Sequence, residues 1–239
     1  MLSQRPSRRA LYLQVRDALA GRIARREWAP GFIVPNEVDL ARELGVSAGT
    51  VRKALHLMEQ GSLVTRRQGK GTFVKDQASD EAAARFNKLR GPGGDGVSKA
   101  VGPVDITEGA AGQTECERLG LQAGAGVVRL RWLRRIGGQN VMVEDATLPA
   151  TMFPGLPNAG AICEDISVLA LQYGILLGKA EERISIDAAA GAVAETLGVA
   201  AGTRVMKLDR VICMLDGPPV EWRVGYCHLA RGFYIAELS

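Results

Sequence analysis

Two helix-forming stretches separated by only three residues constrain this chain more than anything else in it. Asn36 can cap a short helix whose first turn carries Glu37 and Asp39 and whose apolar members are Val38, Leu40, Ala41 and Leu44. Gly45, tolerant of the left-handed conformation, closes it, and Ser47 caps the next helix, from Ala48 to Gln60, which Gly61 ends. With Gly45, Val46 and Ser47 as the whole connection, the two helices must cross steeply, the helix-turn-helix arrangement. Upstream, Leu11, Val15, Ala18, Leu19 and Ile23 recur at helical spacing over Leu11–Arg26, with Pro30-Gly31 as the stop. Downstream, the β-prone runs Leu63–Arg67 and Thr72–Lys75 flank Gln68-Gly69-Lys70-Gly71, which predicts a hairpin. Three helices and a basic-tipped hairpin make a winged helix over residues 1–75.

Charge is divided in the way that architecture requires. The 239 residues carry a net +4, but residues 1–75 hold 14 Lys/Arg against 6 Asp/Glu, and residues 76–239 hold 16 against 20. A basic head on a mildly acidic body suits a nucleic-acid-binding module joined to a separate domain, although a solvated basic face would give the same totals. Apolar residues make up 46% and charged residues 23%, an ordinary globular balance, and no apolar run reaches the length of a membrane span. The basic N-terminus lacks an uninterrupted apolar core, so no signal peptide is expected. Cys116, Cys163, Cys213 and Cys227 form no CxxC pair, which argues against a zinc site or disulfide framework and fits a reducing cytoplasm. No metal or cofactor is implied.

On a helical wheel, Val51, Ala54, Leu55 and Met58 share the core face of the third helix, while Gly49, Arg52, Lys53 and His56 lie opposite and Thr50 flanks them. Arg52 is the candidate for base contact, because its fork matches the two acceptors of guanine. Thr50 and Lys53 are candidates for phosphate contact. At the hairpin tip Gly69 and Gly71 permit close backbone approach, Lys70 can reach the minor groove or a phosphate, and Arg66 lies on the strand before it. Ser47 and Gln68 complete the candidate DNA surface. His56 reads as a surface histidine.

Residues 76–100 read as a linker, with an Ala-rich helical stretch from Asp76 to Leu89 broken by the glycine-rich run that begins at Gly91. From residue 101 to 239 the pattern is α+β. Strands are expected at Val127–Arg135, Val141–Leu148, Glu181–Ile186, Arg204–Leu215 and Val220–Leu229, and helices at Glu115–Leu119, Val168–Tyr173 and Ala188–Leu197. Gly137-Gly138 and Asp216-Gly217 supply hairpin turns, so those strand pairs should be antiparallel. Alternation puts Arg134 on the face of Val128, Leu130 and Trp132. It likewise puts Glu144 with Met142, Ala146 and Leu148, and Arg210 with Met206, Leu208 and Ile212. Charges on apolar faces must pair with one another or with a ligand.

The segments Leu11-Tyr12-Leu13-Gln14-Val15, Pro35-Asn36-Glu37, Gly45-Val46-Ser47, Thr50-Val51-Arg52, Ala54-Leu55 and Gln68-Gly69-Lys70-Gly71-Thr72-Phe73-Val74 resemble the GntR family of bacterial transcription regulators. Leu148-Pro149, Phe153-Pro154-Gly155-Leu156, Tyr173-Gly174, Leu197-Gly198 and Gly217-Pro218-Pro219-Val220-Glu221 resemble its HutC-type branch. There the second domain is a UTRA domain with a chorismate-lyase-like fold and an antiparallel sheet. Two departures stand out: Ala48 where the family usually has Arg, removing one base-reading side chain, and Asn36 where it usually has Ser, an equivalent cap.

The resemblance implies an effector held by an Arg-x-Arg on one strand, a Glu on the next and a Glu on the last hairpin strand. Arg134, Glu144 and Glu221 match, whereas Trp132 replaces the first Arg. One guanidinium is a poorer phosphate clamp than two, and an indole can instead stack on a sugar face or a ring. Ser167, as a helix N-cap, Arg210 and Tyr226 complete the candidate effector set. The expectation is a cytoplasmic homodimeric repressor, dimerised through its UTRA domains and associated with the nucleoid when bound. It would read double-stranded palindromic operator DNA and be released by a sugar phosphate, amino acid, organic acid or phosphonate through population shift. The rivals are a chorismate-lyase-like enzyme, against which stand only two histidines and no nucleophile elbow, and a DNA-binding protein without an effector.

Overall fold

A computed structural model describes residues 9–77, 79, 82, 85–91, 93–94, 105–136, 138–160, 162–215, 217–229 and 232–236. The chain divides into two compact units, residues 1–79 with 174–176 and residues 80–173 with 177–239.

The first unit is the winged helix. It contains α1 (Leu11–Ala24), β1 (Ile33–Val34), α2 (Glu37–Leu44), α3 (Ala48–Gln60), β2 (Val64–Arg67) and β3 (Gly71–Val74). The Asn36 side chain accepts the amides of Val38 and Asp39 at 3.0 and 2.9 Å, and Ser47 Oγ accepts that of Thr50 at 3.1 Å. Gly45 closes α2 at φ 65°. The apolar stripes of the three helices meet in a core that includes Leu19, Leu40, Val51, Leu55 and Met58. Two details differ from the sequence reading. Helix α1 stops at Ala24, because Arg26 turns into the left-handed region well before Pro30. The wing also gains a third strand, since β1 pairs antiparallel with β3. A two-residue strand is too short for alternation to reveal.

The second unit is α+β. Its elements are β4 (Leu89–Arg90), β5 (Asp105–Ala110), α4 (Gln113–Leu119), β6 (Gly126–Ile136), β7 (Gln139–Pro149), a 3-10 turn (Leu156–Asn158), α5 (Ile166–Gln172), β8 (Leu177–Ala188), α6 (Gly191–Leu197), β9 (Arg204–Met214), β10 (Pro219–Cys227) and β11 (Phe233–Tyr234). Six strands form one antiparallel sheet in the order β5-β6-β7-β10-β9-β8, and β11 pairs with β4 separately. The expected antiparallel pairs β6/β7 and β9/β10 are present; Gly137 and Asp216 of their turns lie outside the described residues.

Helix α6 begins at Gly191 because β8 continues through Ala188, and α5 begins two residues early, capped by Asp165 rather than Ser167. Of the expected Asp76–Leu89 helix, Ala82, Arg85 and Phe86 are helical, Leu89 is in a strand, and residues 78, 80, 81, 83 and 84 lie outside the described set. The stretch read as a linker is anchored at Phe86 and Leu89, both buried.

One face of the six-stranded sheet carries α4 and α6. Arg129 and Arg118 reach Glu115 and Asp209 there, and Val143, Val205 and Tyr226 pack with Ala194 and Leu197. The opposite, inner face carries Trp132, Glu144, Gly225 and Leu208 in one cross-strand row. The next row holds Leu130, Ala146, Arg223, Arg210 and Glu182.

At the edge, β8 and β9 slip register between Leu177 and Ala180, and Gly178 lies in the slip. A Cβ there would stand 2.6 Å from the Met214 carbonyl oxygen and 2.9 Å from Leu215 Cα, backbone atoms that cannot rotate away. Gly178→Ala is expected to destabilise the protein by about 1–3 kcal/mol, seen as a lower urea midpoint at unchanged m-value. An unchanged midpoint would mean that the bulge absorbs the methyl group.

Candidate DNA-recognition surface and effector site

The exposed face of α3 carries Gly49, Arg52, Lys53 and His56, as the wheel predicts, with Val51, Ala54, Leu55 and Met58 buried beneath. Arg52 does not project freely. Its Nε donates to Glu37 Oε2 at 2.8 Å, and Glu37 also lies 3.8 Å from Arg66 of β2, which pairs with Glu59 at 3.4 Å. The hydrogen bond to Glu37 raises the Arg52 pKa. Two candidate DNA cations therefore converge on one carboxylate at the start of α2. The sequence reading assigned Glu37 only to the first turn of that helix.

The Arg52 side chain is still 66% exposed, and an ion pair this open to water contributes little to stability, so it is readily exchanged. The Lys53 ammonium lies 3.9 Å from the centroid of the Tyr12 ring, a cation–π contact that draws it towards α1. Thr50 Oγ1 and Ser47 Oγ are 2.9 Å apart, so both hydroxyls are engaged in the cap. At the wing tip Gln68, Gly69, Lys70 and Gly71 are all exposed, and the turn requires glycine at Gly69 (φ 71°) and Gly71 (φ 111°).

In the second unit, Arg134, Glu144, Arg210 and Glu221 are brought to the inner face of the sheet as one buried cluster. Arg134 Nε donates to Glu144, and its Nη1 lies 3.2 Å from Glu164. Arg223 spans Glu221 at 2.8 Å and Glu144 at 3.5 Å. Arg210 faces Glu182 at 3.5 Å and Glu221 at 4.0 Å and also donates to the Phe86 carbonyl. Three guanidiniums thus meet four carboxylates. Arg223, which stands at the centre, went unnoticed in the sequence although its parity with Glu221 was available.

Burial alone would raise the Glu144 carboxyl, but the guanidiniums of Arg134, Arg223 and Arg210 outweigh it and hold the group at about 2. Burial also works against the charge on Arg223, and Glu221 and Glu144 reverse that effect and raise its pKa. Two donors are left over: the Trp132 indole N–H, on a fully buried ring, and Arg210 Nε have no acceptor among the described residues.

One member of the expected effector set is placed elsewhere, and another does not have the capping role expected of it. Tyr226 points to the opposite face, against the α6 cluster, because inward positions on β10 are the odd-numbered ones. Ser167 is buried inside the first turn of α5, where its amide donates to Asp165 Oδ1 at 2.8 Å; it is not the cap.

The UTRA domain family matches residues 103–231, and the family of bacterial regulatory proteins called gntR matches residues 11–74. The chain belongs to the GntR family, with a UTRA domain. It is similar to the HTH-type transcriptional regulator Rv0792c of Mycobacterium tuberculosis, 29% identical over 87% of this chain and 78% of that protein. The histidine utilization repressor of Pseudomonas putida is 29% identical over 60% of this chain and 58% of its own. PhnF from Mycobacterium smegmatis superposes with TM-score 0.57 at 25% identity, covering 94% of this chain and 99% of that one. A ligand-binding domain of a GntR-family regulator from Bordetella bronchiseptica gives the same TM-score over 65% of this chain and 98% of its own. This GntR-family chain is accordingly a transcription regulator, and its relatives are named as regulators rather than enzymes. Among the described residues no helix is long and apolar enough to cross a membrane.

A carboxyl that ionises more readily in the folded state than its ordinary value of 4.5 contributes stability above that pH and loses it as the pH falls towards about 2. The unfolding free energy should therefore decline over that window, and Glu144→Gln should flatten the decline. Identical pH slopes for the two proteins in denaturant titrations would contradict the assignment.

Proposed function

We propose that this GntR-family protein is a repressor that a small metabolite releases from a palindromic operator. The winged helix of residues 1–75 binds DNA, a linker within 76–100 joins it to the UTRA domain of 101–239, and that domain binds the effector and pairs two subunits. Arg52 reads a base edge, Lys53, Thr50 and Ser47 hold the backbone, and Arg66 with Gln68, Gly69, Lys70 and Gly71 presents the wing. The effector lodges on the inner face beside Trp132, Arg134, Glu144, Arg210 and Glu221, changes the spacing of the two heads, and lowers operator affinity by its differential affinity for the two arrangements.

The single observation carrying this reading is the buried charge cluster of the second unit. Replacing such a cluster by apolar residues is often neutral or stabilising, so its presence calls for a use other than stability. Its two donors that have no acceptor among the described residues favour an effector with oxygen acceptors. Because the three guanidiniums are already outnumbered by four carboxylates, a neutral polyol fits better than an anion.

Two measurements test the proposal. Arg52→Ala should weaken binding to the DNA upstream of its own gene by about 1–3 kcal/mol and relax selectivity at one base pair. Salt-insensitive binding by the parent protein would reject the DNA half. A thermal-shift screen of sugar phosphates, amino acids, organic acids and phosphonates should yield a ligand that raises the melting temperature by about 2–8 °C at saturating concentration, with the shift lost in Glu144→Gln. A screen in which nothing stabilises the protein would reject the effector half.

A further inference from the structure

The segment joining the two domains is built into the layer over the inner face. Leu89 is buried in one cluster with Met142, Leu208 and Cys227. Leu89 and Arg90 pair with Tyr234 and Phe233, and the Ile235 amide donates to the Lys88 carbonyl at 2.9 Å. Just upstream, the Phe86 carbonyl accepts from Arg210, and the Arg85 guanidinium donates to the Gly178 carbonyl. From the other strand of the pair, the Tyr234 hydroxyl donates to Glu182. Both Arg210 and Glu182 belong to the buried charge cluster.

We propose that residues 86–90 and 233–235 form a clasp, locked by Arg210 and Tyr234 to the charge cluster, whose retention or release transmits occupancy of the inner face to the DNA-binding head. The reasoning is local. A ladder of two residues per strand is marginal by itself, so β4 and β11 stay paired because side chains anchor them. Those anchors are the buried Leu89 and Phe86 and the two polar links to Arg210 and Glu182. A ligand oxygen that engages Arg210, or a ligand donor that takes over Glu182, removes the partner on which the Phe86 carbonyl or the Tyr234 hydroxyl depends. An unpaired buried carbonyl or hydroxyl is costly, so the segment then favours its detached arrangement. The clasp is thus one element with two arrangements, biased from the cluster at one end and tied covalently to the head at the other. The fastening stands on contacts alone; the transmission rests on the inner face being the effector site.

The test uses the full-length protein without added ligand. Tyr234→Phe keeps the ring and removes the bond to Glu182; Ile235→Pro removes the ladder donor at an exposed position and leaves the charge cluster intact. In either variant, hydrogen exchange at amides 86–91 should accelerate about tenfold while amides of the helices in residues 11–60 keep their rates. The Kd for the duplex upstream of its own gene, at fixed salt, should shift by about threefold or more although neither residue belongs to the DNA surface. Exchange at 86–91 within about twofold of the parent in both variants would overturn the clasp. Accelerated exchange with an unchanged Kd would overturn the transmission and leave the fastening. If the parent protein fails to bind the duplex, the DNA assignment fails and the exchange result still decides the clasp.

Discussion

A carboxylate at the middle of a six-stranded sheet keeps its charge only if its surroundings replace the water it has lost. Glu144 keeps its charge because Arg134 and Arg223 stand on either side of it and Arg210 lies within Coulombic range. That requirement propagates outward. Each arginine needs further carboxylates, so Glu164, Glu221 and Glu182 are drawn in, and the last of these takes the Tyr234 hydroxyl as well. The inner face of this GntR-family chain is therefore organised by charge compensation, with apolar side chains such as Trp132 and Leu208 filling the row around Glu144. Removing one partner from such a set costs about 3–5 kcal/mol because the others are left buried and unpaired. A neutral isostere such as glutamine is accordingly a cleaner probe of ligand binding here than alanine.

The same Arg–Glu chemistry serves the opposite purpose in the winged helix, and exposure makes the difference. Arg52–Glu37 is open to water and Arg134–Glu144 is not. The first pair contributes little to stability, so DNA can exchange it, while its geometry keeps a flexible side chain near one orientation beforehand. Glu37 also holds Arg66 within 4 Å, so one carboxylate positions a helix cation and a wing cation together. Ala48 stands where the family usually has arginine, so under the proposed function Arg52 is the arginine left on this helix to read a base edge.

How much of this was legible in sequence follows from the range of each signal. Caps and stops act within a turn, so Asn36, Gly45, Ser47 and Gly61 gave the helix-turn-helix to the residue. Alternation acts along one strand, so it puts Arg134, Glu144 and Arg210 on their faces. Alternation cannot supply register between strands, which is what brings Arg223 opposite Arg210 and next to Glu144. Tyr226 falls on the opposite face by the parity of β10, and Ser167 is not the cap because Asp165 is the stronger local acceptor. Strands β4, β5 and β11 were invisible for another reason. Two are only two residues long, and Asp105–Ala110 is a mostly exposed edge with too few apolar residues to alternate.

Two of the elements least visible in the sequence, β4 and β11, contribute little local stability, and that is the property a switch requires. β4 and β11 have little intrinsic preference for their conformation, and about 140 residues of chain lie between them, so loop closure opposes their pairing. They are held by a few tertiary links, each with a net contribution of about 0.5–1.5 kcal/mol. Losing two such links changes the balance by about 1–3 kcal/mol, the size of coupling commonly measured between sites in allosteric proteins. The six-stranded sheet, by contrast, is too extensively paired to respond to a ligand of ordinary affinity. A signal leaving the charge cluster is therefore carried by the weak strand pair over the inner face, while the sheet serves as the rigid frame against which that pair opens or closes.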